Sequence, residues 1–417
     1  MKSAPKSVRL QIGLFGRTNV GKSSFLNYVL GQDMSITSSV PGTTTDIVEK
    51  AMEFLPVGPV VFLDTAGVDD VSVLSTKRME KTKKIFDRAD IVLLIAEPNL
   101  WGEYEEDILL QAKKRNAPFI IIVNKIDLIS PEHKFINLIK KQTERFIFCS
   151  CVDTANREEL IKSLKEHIVA ICPRDFIKPA SIMKDIVPPG GVAVLIVPID
   201  MEAPKGRIIL PQVQAIRSAL DNDSSAFIVK ENGYKNVLNK LKADPDIVIC
   251  DSQVVKKMVQ DTPVNVKCTT FSILFAQNKG NLEMATASCG AIKNLRPKDK
   301  VLILEACSHH PIEDDIGRKK IPAWLSEYVG GDLDIDVYAG RDYPEDFSGY
   351  KLVIHCGGCM ITKRETFFRY EKAKNAGVPI TNYGVCISFL AGVLNRVLAP
   401  FPSALAAYMS DQCRVIS

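Results

Sequence analysis

Residues 8–30 read VRLQIGLFGRTNVGKSSFLNYVL. Val8–Phe15 reads as a strand, and Lys22–Leu30 repeats apolar residues at helical spacing. Between them stands G-x-x-x-x-G-K-[ST], with Gly16, Gly21, Lys22 and Ser23. A strand, a glycine-containing loop and a helix in that order make a phosphate cradle. Backbone N–H groups of the loop and the positive end of the helix face the phosphate oxygens. Lys22 is expected on the β/γ-phosphates, Ser23 on Mg²⁺, and Ser24 among the phosphate contacts.

Three further motifs follow in order, each at the end of an apolar run. Val60–Leu63 leads into Asp64-Thr65-Ala66-Gly67, where Asp64 is placed to hold Mg²⁺ through water and the Gly67 N–H to meet the γ-phosphate. Phe119–Val123 leads into Asn124-Lys125-Ile126-Asp127. A carboxylate at Asp127 can accept both N–H groups of a guanine edge, which adenine does not offer. Phe146–Phe148 precedes Ser150-Cys151, which would close the base pocket. The expected ligand is GTP with Mg²⁺.

These motifs resemble the tRNA-modification and ribosome-assembly GTPases, the TrmE/Era-like branch. The segment Pro41-Gly42-Thr43-Thr44-Thr45-Asp46 matches that branch's first switch. The resemblance implies Thr44 as an Mg²⁺ ligand, with Thr43 as the alternative. It implies that Asn19 helps to hold K⁺ beside the phosphates; the plainer reading of Asn19 is a turn residue. Lys22, Thr44 and Gly67 are the expected catalytic contacts. Val68 stands where Ras-like enzymes carry a water-orienting Gln, so unaided hydrolysis is expected to be slow. Asn156-Arg157-Glu158-Glu159 reads as a capping box opening a helix to about Ile171.

A second constellation lies between Val301 and Met360. Cys307 and His309 follow the apolar run Val301–Leu304; His355, Cys356 and Cys359 follow Leu352–Ile354. If those runs are neighbouring parallel strands, their loops bring three thiols and up to two imidazoles together. Three thiolates suit an iron–sulfur cluster short of one cysteine ligand, or a closed Cys₃His zinc site. Small buried cysteines that only fill space are the plain alternative. Glu313, Asp314 and Asp315 could reach back as an oxygen ligand, although each alone is more often a solvated charge.

The chain has 417 residues, a net charge of +4 and 11 cysteines. That length suggests several α/β units: a P-loop domain at 7–172, a smaller unit at 173–263 and a last one at 264–417 that carries the cluster site. The small net charge, with no aromatic–basic stripe, gives no reason to expect nucleic acid. No apolar run approaches the roughly 20 residues of a membrane span. Scattered cysteines beside nucleotide motifs suggest a reducing cytoplasm.

The combination Cys307-x-His309 and His355-Cys356-x-x-Cys359 with a GTPase domain resembles the HydF family of [FeFe]-hydrogenase maturation. The resemblance implies a [4Fe–4S] cluster on Cys307, Cys356 and Cys359, with His309 and His355 as candidate ligands. It implies a homodimer through the middle unit, and transient carriage of a diiron subcluster precursor. That precursor would be built with two radical-SAM maturases and passed to apo-[FeFe]-hydrogenase. The competing expectation is a regulatory or RNA-associated GTPase with a structural zinc domain.

Overall fold

In Leu10–Phe15 (β1) every side chain is buried, the pattern of a strand covered on both faces. The computed structural model describes residues 5–31, 48–64, 82–177, 181–199, 208–306, 315–341 and 343–414. These fall into two compact units, Met1–Pro179 and Ala180–Ser417.

The first unit holds a six-stranded sheet. Its strands are β1, Val48–Phe54 (β2), Gly58–Asp64 (β3), Ile91–Ala96 (β4), Phe119–Val123 (β5) and Phe146–Phe148 (β6), in the spatial order β2-β3-β1-β4-β5-β6. Only β2 runs antiparallel. Two apolar clusters flank the sheet. Leu10, Ile12 and Leu14 pack with Phe25 and Leu26 of the helix Lys22–Leu30 (α1). Val92, Leu94 and Ile121 pack on the other side with Ile108 and Leu109 of Glu103–Lys114 (α2) and Ile139 of His133–Gln142 (α3). Each such side chain contributes roughly 1.5–3 kcal/mol of burial. The helix Arg157–Ile171 (α4) forms where expected, but not through a capping box. The Asn156 amide instead donates to Asp153 Oδ2 at 2.7 Å.

The second unit holds two four-stranded parallel sheets over one continuous apolar core. Val192–Ile196 (β7), Ser225–Val229 (β8), Ile247–Cys250 (β9) and Lys267–Thr270 (β10) lie in the order β10-β9-β7-β8. Leu210–Asp221 (α5) connects β7 to β8. The expected start of the last unit at residue 264 falls before β10, yet β10 pairs with β9, Thr270 beside Cys250. The physical reason is that KCTT carries too little apolar pattern to be read as a strand, while a buried neighbour completes it. At the free edge, β8 leaves Phe227 and Ile228 exposed, at 43% and 54%.

The helix Phe271–Lys279 (α6) leads to the second sheet. Lys300–Leu304 (β11), Asp334–Tyr338 (β12), Leu352–His355 (β13) and Ile380–Asn382 (β14) stand in the order β12-β11-β13-β14. The chain goes from β11 to one side, then returns to build β13 and β14 on the other. The point of reversal lies between β11 and β13, where a parallel sheet opens a crevice at its carboxyl end. Lys363–Asn375 (α7) follows β13 and starts with a true capping box, Thr362 Oγ1 accepting the Glu365 N–H at 3.2 Å.

Candidate functional site

The P-loop leaves β1 at Gly16 and enters α1 at Lys22. Gly21 has φ +95°, in the region where a side chain is strained, and a Cβ there would run into the Asn124 amide. Lys22 Nζ donates to the carbonyls of Gly16 and Arg17, at 3.1 and 2.8 Å, so its ammonium lies inside the loop. Ser23 Oγ donates to Asp64 Oδ2 at 3.4 Å. This hydroxyl–carboxylate pair, joining the start of α1 to the end of β3, is a hard oxygen set that fits Mg²⁺. Ser24 is exposed on α1 beside it. Asn19 has φ +62°, a left-handed turn that Asn tolerates.

Asn124 ties the base side of the site together. Its Nδ2 donates to Val20 O at 3.1 Å, and its Oδ1 accepts the Cys151 N–H at 3.3 Å and the Cys149 thiol at 3.8 Å. Lys125, at φ +66°, donates to Asn19 O at 2.5 Å and pairs with Glu97. Asp127 is exposed and Ser150 buried beside that loop. Thr43, Thr44 and the rest of Pro41–Asp46, together with Gly67 and Val68, lie outside the described residues.

Two residues that the sequence reading missed brace the phosphate loop. Glu105 of α2 takes Arg17 in a two-pronged pair, Nε at 2.7 Å and Nη2 at 2.6 Å. Tyr104 OH accepts the Gly16 N–H at 3.3 Å and donates to Gly16 O at 3.1 Å. No local signal marks them, because both belong to an ordinary amphipathic helix 88 positions away. Glu105 is 1% exposed in the pair and Arg17 36%. Glu105→Ala should therefore cost about 2 kcal/mol, less than a fully buried pair because Arg17 is partly screened. The urea midpoint of the GTP-binding unit, measured by fluorescence of bound nucleotide analogue, checks it.

In the second unit β11 and β13 are direct neighbours, Leu304 beside His355. The Cys356 N–H donates to Leu304 O at 2.8 Å, and Cys356 Sγ accepts the N–H of Ala306 at 3.0 Å and of Gly358 at 3.4 Å. Cys307 and His309 lie outside the described residues, as do Glu313 and Asp314. Ala306, the residue before Cys307, is thus held on the sulfur of Cys356. Gly358 turns at φ +63°, which lets Cys359 follow on the same tight loop. Burial pushes both thiols up, Cys359 to about 11, while the two N–H donors pull Cys356 back. Two N–H groups on one sulfur offset part of the cost of burying a thiolate there, and this donor set fits a thiolate-bound cluster.

His355 is fully buried, and both ring nitrogens face protein partners. Nδ1 lies 2.5 Å from Cys356 O and Nε2 3.4 Å from Arg369 Nη1. Burial, with Arg369 beside it, drives its pKa down to about 3, so the ring is neutral. Asp315 is also committed: it is 2% exposed and its Oδ1 caps the next turn through the Arg318 N–H at 2.8 Å. Lys279 of α6 enters this loop from 79 residues upstream, donating to Gly358 O, and to Ile361 O at 2.9 Å. Burial lowers its pKa to about 8, against the pull of Cys359 and Cys356. Cys172, Cys250, Cys268, Cys289 and Cys386 are buried, and among the described residues no group of three or more His, Cys, Asp or Glu side chains is placed to hold a metal ion.

Three family models match the chain. A 50S ribosome-binding GTPase model matches residues 11–125, a hydrogen maturase F dimerization domain residues 182–280, and a hydrogen maturase F tetramerization domain residues 283–400. The last two together cover just over half of the 417 residues. The chain is 35% identical over 162 residues to a tRNA modification GTPase MnmE of Caldicellulosiruptor saccharolyticus, covering 37% of this chain and 34% of that one. It is 35% identical over 168 residues to a GTPase Era of Thermoanaerobacter sp., covering 39% and 54%. It thus spans between a third and just over half of these curated relatives. A crystal structure of an Aquifex aeolicus Era variant bound to GDP·AlF4⁻ matches at 30% identity and TM-score 0.31, over 38% of this chain and 56% of that one. Among the described residues no helix is long and apolar enough to cross a membrane.

Proposed function

The chain belongs to the hydrogen maturase F family and carries a GTPase domain, and from that premise we propose that it is a GTP-hydrolysing iron–sulfur scaffold of [FeFe]-hydrogenase maturation. The observation that supports this is the meeting of β11 and β13, which sets the N–H of Ala306, the residue before Cys307, 3.0 Å from Cys356 Sγ. Cys307, Cys356 and Cys359 would hold a [4Fe–4S] cluster, which supplies an iron with no thiolate ligand for cargo to bind. The cargo is the diiron subcluster precursor, received from two radical-SAM maturases and released to apo-hydrogenase in the cytoplasm. His355, whose ring nitrogens both have protein partners, holds the Cys356 carbonyl in place. His309 stays a candidate for the remaining ligand. Self-association fits the oligomerization domains that the chain matches, and the exposed β8 edge is a surface on which a homodimer can add strand to strand. Anaerobic purification with iron, sulfide and zinc analysis tests the reading. Iron and sulfide in equal amounts support it; stoichiometric zinc without sulfide overturns it in favour of a structural zinc domain.

In the nucleotide site Lys22 neutralises the phosphates, and Ser23 and Asp64 hold Mg²⁺, with Thr44 as the switch ligand and Thr43 as its alternative. Gly67 meets the γ-phosphate, Asn19 helps to place K⁺, and Asp127 reads guanine. Hydrolysis is expected to be faster in K⁺ than in Na⁺, and Asn19→Ala to erase the difference; equal rates in both salts with the native chain refute the cation role. Asp127→Asn is expected to exchange guanine selectivity for xanthine selectivity by about 10²-fold or more, since an unpaired polar group in a base pocket is heavily penalised. Competition binding of GTP against XTP measures it.

A further inference from the structure

Two cations lie under the Cys356–Cys359 loop with no ion-paired carboxylate among the described residues, although Glu365 is close enough to favour the charge on Lys279. Lys279 Nζ spends its protons on Gly358 O, on Ile361 O at 2.9 Å and on Thr366 Oγ1 at 3.5 Å. All three acceptors are uncharged. Arg369 of α7 is 2% exposed; it donates to Gly340 O at 2.6 Å, meets His355 Nε2 at 3.4 Å and lies 5.0 Å from the Tyr343 ring centroid. Among the described residues neither cation has an acidic side chain at ion-pair distance. The nearby acids are taken elsewhere. Glu365 holds Arg341 at 2.8 Å, and Glu305, 4% exposed, meets Arg318 at 3.4 Å and Tyr383 OH at 3.4 Å. Positive charge out of water and resting on neutral partners is costly unless an anion completes it.

The loop itself supplies such an anion once loaded. A [4Fe–4S]²⁺ core with three thiolates carries a net charge of −1, and its one-electron reduced form −2. We propose that Lys279 is the positioning residue of the cluster loop and that, with Arg369, it forms the counter-charge of the cluster. Two of its three hydrogen bonds, to Gly358 O and Ile361 O, fix the backbone from Gly358 to Ile361, which sets the direction of Cys359. Its charge favours the reduced, more anionic state. Lys279 ends α6, inside the stretch 182–280 that matches the dimerization model, whereas the loop lies inside 283–400. The cluster pocket is therefore built by both segments, and the first supplies a cation to the second.

The inference rests on Cys356 and Cys359 being cluster ligands. The test is a dithionite titration of the full-length protein, reconstituted anaerobically, followed by EPR, with iron content and thermal melting alongside. Lys279→Met keeps the length of the side chain and removes its charge. It should shift the reduction equilibrium at least tenfold towards the oxidised cluster, a midpoint about 59 mV more negative for a one-electron couple. Lys279→Arg should recover most of that shift. A midpoint in Lys279→Met within twofold of the native equilibrium, at equal iron content, overturns the proposal, and so does a loss of iron with no shift in the clusters that remain. Should Lys279→Met not fold, Arg369→Gln must move the midpoint the same way, and its indifference is equally fatal. A native protein that takes up no cluster removes the underlying cysteine assignment instead, and iron analysis reads that separately from the potential.

Discussion

Cys356→Ala and Cys359→Ala are each expected to empty the protein of its cluster, from about four iron atoms per chain to near background, while leaving GTP hydrolysis intact. The structural reason is specific to each thiol. Cys356 Sγ is the acceptor for the N–H groups of Ala306 and Gly358, so its loss removes a proposed iron ligand and also the atom that holds the end of β11 against the 356–359 loop. Cys359 stands on the turn that Gly358 permits and Lys279 holds. On the proposed set of three cysteine ligands, a cluster that loses one keeps two, too few to hold the core against chelators. Cys307→Ala is expected to behave alike, although that residue lies outside the described structure. The sparing of GTPase activity follows from the division of the chain, since the nucleotide residues belong to Met1–Pro179 and the cysteines to Ala180–Ser417. Iron analysis and phosphate release on the same samples decide it. A cysteine variant that retains full iron and sulfide drops out of the ligand set.

Lys22→Ala is expected to lower kcat/KM for GTP by about 10²–10³-fold, the loss that follows removal of one preorganised charge stabiliser, equivalent to about 2.7–4 kcal/mol. Its ammonium is already held inside the phosphate loop by the carbonyls of Gly16 and Arg17, so little reorganisation separates the structure from the bound state. The lysine also neutralises two main-chain oxygens that point into the loop, so nucleotide affinity is expected to fall with the rate. Ser23→Ala should act differently. It removes the hydroxyl that pairs with Asp64 at 3.4 Å, and its defect should respond to raised Mg²⁺ where that of Lys22→Ala does not. Phosphate release across an Mg²⁺ series measures both. A Lys22→Ala protein that hydrolyses GTP at the native rate would remove the lysine from the mechanism.

Much of this protein is local chemistry and therefore readable along the chain. The phosphate loop is one contiguous segment whose glycines, lysine and serine act through the backbone around them, so its sequence carries nearly all of its structure. The same holds for Asp64 and for Asn124 through Asp127, each fixed at the end of a buried strand. The pairing of the two cysteine loops was legible only as a condition, that Val301–Leu304 and Leu352–Ile354 be neighbours, and the register of Leu304 with His355 meets it. Tertiary structure alone decided the rest. An apolar run such as Ile91–Ala96 has no periodicity to separate a buried strand from a buried helix. Lys267–Thr270 becomes a strand because Ile247–Cys250 lies beside it. Glu105, Tyr104 and Lys279 act on loops far away in the chain, through charge and hydrogen bonds that exist only after folding. Sequence spacing records which groups a segment owns; it does not record which distant charge is left without a partner, because that balance is set by packing.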